Sequence, residues 1–224
     1  GLEALDVAPS WGAEGATVLH VTRDGGVIGA LRLADAIRPE SRAAVAALRA
    51  QGVEVVMITG DAEPVARYVA AELGIRRVFA GVRPEEKAGK VAELRAEGKV
   101  VAMVGDGVND APALASADVG IAMGGGTDVA IGSAGVVLAS GDPRAVVALR
   151  TLSEASARIM KQNLWWAAGY NLLAVPLAAG VLAPWGIVMP MSVGALLMSA
   201  STVVVALNAQ RLRRVDLSLD AVRR

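Results

Sequence analysis

The chain has no cysteine among its 224 residues, which excludes a disulfide framework and a thiolate metal cage within them. Any soft-metal thiolate site would have to draw on residues elsewhere. His20, the only histidine, sits in a strand-like run and reads as structural or exposed rather than as a ligand. Net charge is also missing: Lys+Arg and Asp+Glu both count 22, so no overall field attracts nucleic acid or an anionic surface, and local placement matters more. Residues 1–15 lack the apolar core of a signal peptide, and the absence of an initiator Met leads to the expectation of an N-terminal truncation. What is present is a mixture. At 54% hydrophobic, 20% charged and a mean hydropathy of +0.48, the chain is too apolar for an ordinary soluble domain and too charged to be wholly embedded.

From residue 17 to about 138, short β-branched runs alternate with amphipathic segments of ten or more residues, the signature of βαβ units around a parallel sheet. Arg23-Asp24-Gly25-Gly26 between residues 18–21 and 27–33 predicts a hairpin turn ending a preceding domain. A helix is expected near 40–51, a buried strand at 53–58, a helix from 64 to 73, a short strand near 78–79, and a helix opened by Pro84 and ended at Gly98. Residues 100–104 form a continuous apolar strand, and a glycine-hinged loop follows at its carboxyl end, where ligands of open α/β sheets bind. Residues 164–183 and 186–207 then run without a formal charge, each long enough to cross a hydrocarbon core of roughly 30 Å. A buried helical hairpin in a soluble protein is the alternative. Interfacial aromatics favour the bilayer: Trp165 and Trp166 lie at one end and Trp185 at the other. Arg158 and Lys161 precede the first run, and Arg211, Arg213 and Arg214 follow the second, which puts both basic flanks and the α/β part in the cytoplasm.

Three places carry phosphoryl-transfer chemistry. Gly105-Asp106-Gly107-Val108-Asn109-Asp110-Ala111-Pro112-Ala113-Leu114 sets two carboxylates four apart in a flexible loop, and hard carboxylate oxygens suit Mg²⁺, which shares its shell with water and phosphate. Thr59-Gly60-Asp61 follows the strand at 53–58 and presents a hydroxyl and backbone N–H groups, although Thr-Gly-Asp is also a common turn. Lys87, in Arg83-Pro84-Glu85-Glu86-Lys87, stands near a helix start where a cation could reach a phosphoryl oxygen, although most helix lysines are merely solvated.

This order of motifs resembles the phosphorylation domain of P-type ATPases, a branch of the haloacid-dehalogenase-like fold. Asp35-Ala36-Ile37-Arg38 is similar to the family's Asp-Pro-x-Arg/Lys entry segment, with Ala36 in place of the usual proline. The resemblance implies that Asp106 coordinates Mg²⁺ with Asp110, and that Asn109 and Asp110 order the loop and the phosphoryl group. It further implies that Thr59, with Gly60 and Asp61, contacts the phosphoryl oxygens and that Lys87 neutralises their charge. The family's Asp-Lys-Thr-Gly-Thr phosphorylation loop, its Thr-Gly-Glu loop and most of its ATP-binding domain have no counterpart in the sequence. The 224 residues alone are therefore expected not to turn over ATP. Gly124-Gly125-Gly126-Thr127-Asp128 is similar to the family's glycine segment and is assigned backbone flexibility.

The apolar runs carry polar groups that are costly in hydrocarbon, namely Tyr170-Asn171 and Met198-Ser199-Ala200-Ser201-Thr202. Hydrogen-bonding glue between helices is the plain alternative, and Met198 could simply pack, but thioethers are also soft ligands that favour Cu(I). Lys161-Gln162-Asn163-Leu164-Trp165-Trp166 with Tyr170-Asn171, then Met198-Ser199-x-Ser201-Thr202 with Asn208-Ala209, resembles the last two membrane helices of heavy-metal (type IB) P-type ATPases. The copper-exporting copper-B subgroup is most similar, and zinc and cadmium pumps differ by an aspartate and a lysine in these helices. The resemblance implies Tyr170, Asn171, Met198, Ser199, Ser201 and Thr202 as ligands of transported Cu⁺, Cu²⁺ or Ag⁺. The third contributor, a Cys-Pro-x segment, would come from the rest of the polypeptide. Pro176 is expected to kink the first run; Pro190 reads as a first-turn residue.

The reading is an α/β haloacid-dehalogenase-like parallel-sheet domain, partial, followed by two transmembrane α-helices. Residues 1–32 would end a nucleotide-binding domain, 33–150 form the phosphorylation domain without its nucleophile loop, 151–214 hold the last two membrane helices, and 215–224 form a tail. By resemblance the whole is a multi-pass ATPase of a bacterial cell membrane, needing Mg²⁺ and ATP, with the bilayer, the remaining polypeptide and copper as partners. The rivals are a membrane-anchored haloacid-dehalogenase-like phosphatase, a P-type ATPase for another transition metal, and a non-catalytic Mg²⁺-binding protein. The genomic sequence upstream discriminates among them.

Overall fold

The computed structural model describes residues 11, 16–33, 36–124, 128–186 and 188–218. The chain divides into two compact units, with the boundary after Val147. In the first, β1 (Thr17–Arg23) and β2 (Gly26–Leu33) form an antiparallel hairpin. Asp24 and Gly25 take φ of 49° and 81°, the type I′ geometry that matches strand twist. His20 lies opposite Ala30 and is exposed, in line with its sequence reading.

The alternation of strand and helix then follows as the periodicity implies. α1 (Pro39–Ala50) begins with Pro39 in its first turn, where the lost N–H has no helical partner, and Glu40 and Arg49 complement the helix dipole. Its inner face is Ala44 and Val45. β3 (Val56–Ile58) is shorter than the apolar run that encodes it, and α2 (Glu63–Leu73) leads to β4 (Arg77–Phe79), parallel to β3. Arg42 on α1 reaches the Glu72 carboxylate and, at 2.7 Å, the Glu72 carbonyl, so the two helices are tied at the surface. A 3₁₀ turn, Pro84–Glu86, runs into α3 (Lys87–Ala96). β5 (Ala102–Gly105), α4 (Ala111–Ser116), β6 (Val119–Ala122), α5 (Asp128–Ser133) and β7 (Val136–Val137) complete the unit, with β5, β6 and β7 in one parallel ladder.

Parallel pairing is thus as expected, but it comes as two ladders, β3–β4 and β5–β6–β7, in place of a single sheet. The core lies under the second ladder, where Val91, Leu114, Ala113, Ala122 and Ile121 are buried. Leu114→Ala there would cost about 2–5 kcal/mol by transfer and cavity terms. The buried residues come from α3, α4 and β6, so the helix that follows the β5–α4 loop is packed into the core.

The second unit is helical. α6 (Arg144–Ala178) is a 35-residue helix whose first residues belong to the α/β unit. Its start is fixed by Asp142, which accepts the Arg144 backbone N–H at 2.9 Å and pairs with the Arg144 guanidinium. That guanidinium holds the Asp142 carboxyl below the usual carboxylate range, against the opposing effect of desolvation.

The first apolar run departs from expectation. The helix stops at Ala178 instead of reaching residue 183, because Gly180 adopts φ +79° and the Val181 and Gly180 amides turn back to the Pro176 and Leu177 carbonyls. This is a Schellman closure. Residues 164–178 rise only about 22 Å, short of a hydrocarbon core of roughly 30 Å. Pro176 lies inside the helix, in its last turn, and its carbonyl accepts the Val181 amide of that closure. α7 (Met191–Ala209) follows Pro190, which precedes the helix rather than occupying its first turn. With its 3₁₀ extension α7 spans Met191–Arg214, its most apolar 18-residue stretch has a mean hydropathy of 1.7, and among the described residues it is the one helix long and apolar enough to cross a membrane.

Candidate functional site

The Gly105–Leu114 loop is built around Asp110. This carboxylate is 9% exposed. Its Oδ1 accepts from Lys87 Nζ at 2.8 Å and its Oδ2 accepts from the Gly107 amide at 3.4 Å. Lys87 is delivered by the Pro84–Glu86 turn, whose Glu86 carboxylate accepts the Arg83 backbone N–H at 3.1 Å. The ion pair is shielded, with side chains 18% and 12% exposed, so solvent competes little for it. It joins the Pro-x-x-Lys and Gly-Asp-Gly motifs across 23 residues of sequence. Gly105 makes this possible: a Cβ there would lie 2.8 Å from the Asp110 Cβ and 2.9 Å from its Oδ2. That close approach, and the Gly107 amide as a partner, were not evident from residue types, although glycines on both sides of Asp106 were the available signal.

Asp106 differs. It is exposed at the end of β5, and among the described residues it has no hydrogen-bond or ion-pair partner. Asn109 is likewise exposed. Thr59 continues the ladder through its amide to the Phe79 carbonyl at 3.0 Å, and its carbonyl accepts the Val82 amide at 3.0 Å. Its hydroxyl donates to Asp61 Oδ2 at 2.8 Å and accepts the Asp61 amide at 3.1 Å. The Gly60 N–H has no acceptor among the described residues. No hydrogen bond or ion pair there links Thr59 to Lys87 or to Asp106. The chain therefore assembles the Lys87–Asp110 half of the predicted constellation and leaves the Thr59-Gly60-Asp61 turn separate. Asp35, and Gly125 to Thr127 of the glycine segment, lie outside the described residues.

The loop is held from behind as well. Asp118 accepts the Val101 amide at 2.9 Å just ahead of β5 and pairs with Arg95 at 2.8 Å near the end of α3. The Val101 amide first, and Arg95 after it, keep the Asp118 carboxyl below its ordinary range, with desolvation opposing.

In the helical unit the predicted soft-metal residues are not gathered. Tyr170 is half-buried and its hydroxyl donates to the Gly194 carbonyl at 3.3 Å, while Asn171 is exposed. Met198 is 66% exposed. The Ser199 hydroxyl donates to the Ala195 carbonyl at 3.0 Å and that of Thr202 to the Met198 carbonyl at 3.1 Å, the backbone bonding typical of hydroxyls on helices. Gly194, Ser201, Val205 and Asn208 are the half-buried stripe of α7. Met198 falls on that stripe by helical periodicity, whereas Ser199 lies roughly 140° round the helix from Gly194. At the basic end, the Asn208 amide donates to Asn163 Oδ1 at 2.9 Å and Gln162 Oε1 at 3.2 Å, and Arg211 donates to Asn208 Oδ1 at 3.2 Å. No group of three or more His, Cys, Asp or Glu that could hold a metal occurs among the described residues.

Comparison with known proteins adds to this geometry. The sequence model of the haloacid dehalogenase-like hydrolases matches residues 3–118. Over 200 residues the chain is 56% identical to the copper-exporting P-type ATPase B of Archaeoglobus fulgidus, covering 89% of this chain and 29% of that protein. The copper-transporting P-type ATPase of Rhizobium leguminosarum is 51% identical over 201 residues, 89% of this chain and 24% of its own length. The copper-exporting P-type ATPase B of Enterococcus hirae is 46% identical over 201 residues, 90% of this chain and 27% of its own. The chain thus spans less than a third of these relatives. A crystal structure of a zinc-transporting PIB-type ATPase in the E2.Pi state superposes with a TM-score of 0.78 at 36% identity, over 91% of this chain and 32% of that one.

Proposed function

The chain belongs to the haloacid dehalogenase-like hydrolases, and on that premise we propose that it is the C-terminal portion of an ATP-driven P-type ATPase that exports copper or silver through an aspartyl-phosphate intermediate. The observation that carries this reading is the shielded Lys87–Asp110 pair, which brings two of the three phosphoryl-transfer motifs together at the end of β5. Residues 1–32 would end the nucleotide-binding domain, 33–150 form the phosphorylation domain, 151–214 contribute the last two membrane helices and 215–224 form the tail. The whole pump would sit in a bacterial cell membrane with its α/β part in the cytoplasm.

The nucleophilic aspartate is assigned to the remaining polypeptide, since no Asp-Lys-Thr-Gly-Thr occurs here. β3 and β5 each end their ladder with one edge unpaired among the described residues, so a strand carrying that loop has a place beside either. Lys87, oriented by Asp110, would offset charge on the phosphoryl oxygens. The free Gly60 N–H and the Thr59 hydroxyl, once turned from Asp61, would donate to those oxygens. Asn109, exposed in the same loop, would help order it. Asp106 fits Mg²⁺ because it is a hard, exposed carboxylate without a partner; Asp110 is committed to Lys87 and Gly107 and is better suited to positioning. When bound, Mg²⁺ neutralises charge on the transferring group. These residues alone are proposed not to turn over ATP.

For the cargo, Tyr170, Asn171, Met198, Ser201 and Thr202 remain the proposed ligands, with Ser199 less well placed. The second reading is a pump for another transition metal, favoured by the likeness to a zinc-transporting structure. The absence of Asp, Glu, Lys and Arg from residues 164–183 and 186–207 supports a soft monovalent cargo instead. Asp106→Asn in the full-length polypeptide should lower phosphoenzyme formation from ATP by about 10²–10³-fold. Unchanged labelling would sink the Mg²⁺ assignment.

A further inference from the structure

One face of α6 carries a groove of about 740 Å³ that changes character along its length. Arg158 and Lys161 stand at one end, Trp165 and Trp166 follow, and Gly169 and Leu173 lie beyond. Arg158, Lys161, Trp165, Gly169 and Leu173 follow one another at steps of three or four residues, which keeps them on one side of the helix, and Trp166 flanks Trp165 on that side. All of them belong to the helical unit.

The cations are unmatched. Neither Arg158 nor Lys161 has a hydrogen-bond or ion-pair partner among the described residues. Glu154, the one acidic residue of α6, is taken by Arg150 at 2.7 Å. The apolar part is uncovered, with Trp165 79%, Trp166 59% and Leu173 76% exposed. From Arg158 to Leu173 the helix rises about 22 Å, close to the depth of one leaflet with its headgroups, roughly 20–22 Å.

We propose that this groove binds one anionic phospholipid of the cytoplasmic leaflet, its phosphate against Arg158 and Lys161 and an acyl chain along Trp165 and Trp166 over Gly169 to Leu173. A soluble anion would match the cations and leave the tryptophans in water. A second apolar helix would cover the tryptophans and leave two charges unmatched. A lipid with a negative head and an apolar tail satisfies both ends at once. Gly169 provides the notch: a Cβ there would meet nothing within 4 Å, so the surface is open where a chain would pass. The inference rests on the membrane reading of α6 and α7 and adds a lipid-specific site to it.

The test uses the full-length polypeptide, purified and placed in nanodiscs of phosphatidylcholine with or without phosphatidylglycerol, with retained lipid read by native mass spectrometry. Two cations at about fivefold each predict roughly 25-fold preferential retention of phosphatidylglycerol. Arg158→Gln with Lys161→Gln should abolish the preference. Gly169→Leu should fill the notch and weaken retention of both lipids while phosphoenzyme formation is unchanged. Equal retention of the two lipids by the unaltered protein, or undiminished retention in Gly169→Leu, overturns the site. Loss of folding in Gly169→Leu together with an unaffected charge variant also overturns it, since another helix then fills the groove. Carbonate washing separates the two levels: a protein that stays in the membrane but ignores phosphatidylglycerol loses only the lipid site, whereas one that washes free loses the membrane reading too.

Discussion

In the α/β unit Asp110 is 9% exposed and shared between Lys87 and the Gly107 amide, whereas in the helical unit Met198 is 66% exposed and the Ser199 and Thr202 hydroxyls turn back on their own helix. Both sets of residues were singled out by similar motif reasoning. They differ in what the chain itself can complete. A carboxylate and an ammonium excluded from water need each other, and a short loop followed by a packed helix can bring them together. A soft-ion site in a membrane needs side chains from several helices, and two helices alone leave its polar atoms to satisfy themselves.

The contrast can be broken most directly at the ion pair. Asp110→Ala would leave Lys87 shielded without its partner, and should destabilise the α/β unit by about 2 kcal/mol, the cost of a broken buried pair discounted for residual exposure. Chemical denaturation of the full-length protein would measure it; a stability equal to that of Asp106→Asn would mean that the pair is not a structural element. Met198→Leu keeps volume and should leave stability within about 0.5 kcal/mol. It should weaken copper- or silver-stimulated ATPase activity by about tenfold or more, the least that even outer-shell partners of metal sites cost. Metal dependence matching the unaltered protein would remove Met198 from the ligand set. Double replacement of Asn163 and Asn208 by Leu tests whether the amide contact is glue alone: cargo stimulation should persist while thermal stability falls by about 1 kcal/mol. A selective loss of stimulation would assign it a role in transport.

The smallest expected effect concerns pH. The Asp118 carboxyl is held below its ordinary range in the folded chain by the Val101 amide and Arg95. Its contribution is therefore present above the unfolded carboxylate value near pH 4, and is lost as pH falls through the lower folded value. Asp118→Asn should flatten the acid limb of a stability profile below about pH 4, the unfolded carboxylate value, and leave the neutral region parallel to that of the unaltered chain. An unchanged acid limb would show that Asp118 does not anchor β5.

Much of the fold was legible. The apolar run before Gly105, the Asp24-Gly25 turn and Pro84 at a helix start are local signals, and each element appears close to where its signal lies. The membrane boundaries were less legible. The apolar run to residue 183 says nothing of Gly180, whose left-handed conformation closes α6 at Ala178. Hydropathy measures transfer to lipid and does not register backbone turns. At the site, Lys87 could be named as a cation near a helix start, but its partner was not in the pattern, since 23 residues separate it from Asp110.

By itself the sequence determined the βαβ alternation, the hard-oxygen loop after β5, the two apolar runs and the family resemblance, because these depend on residue type and near-neighbour spacing. Only the tertiary structure decided that Asp110 holds Lys87 while Asp106 stays free, that the parallel strands stand in two ladders, and that the unmatched cations of α6 open onto an apolar groove. Those outcomes depend on which distant groups share a low-dielectric or a solvent-exposed place, and that is set by packing.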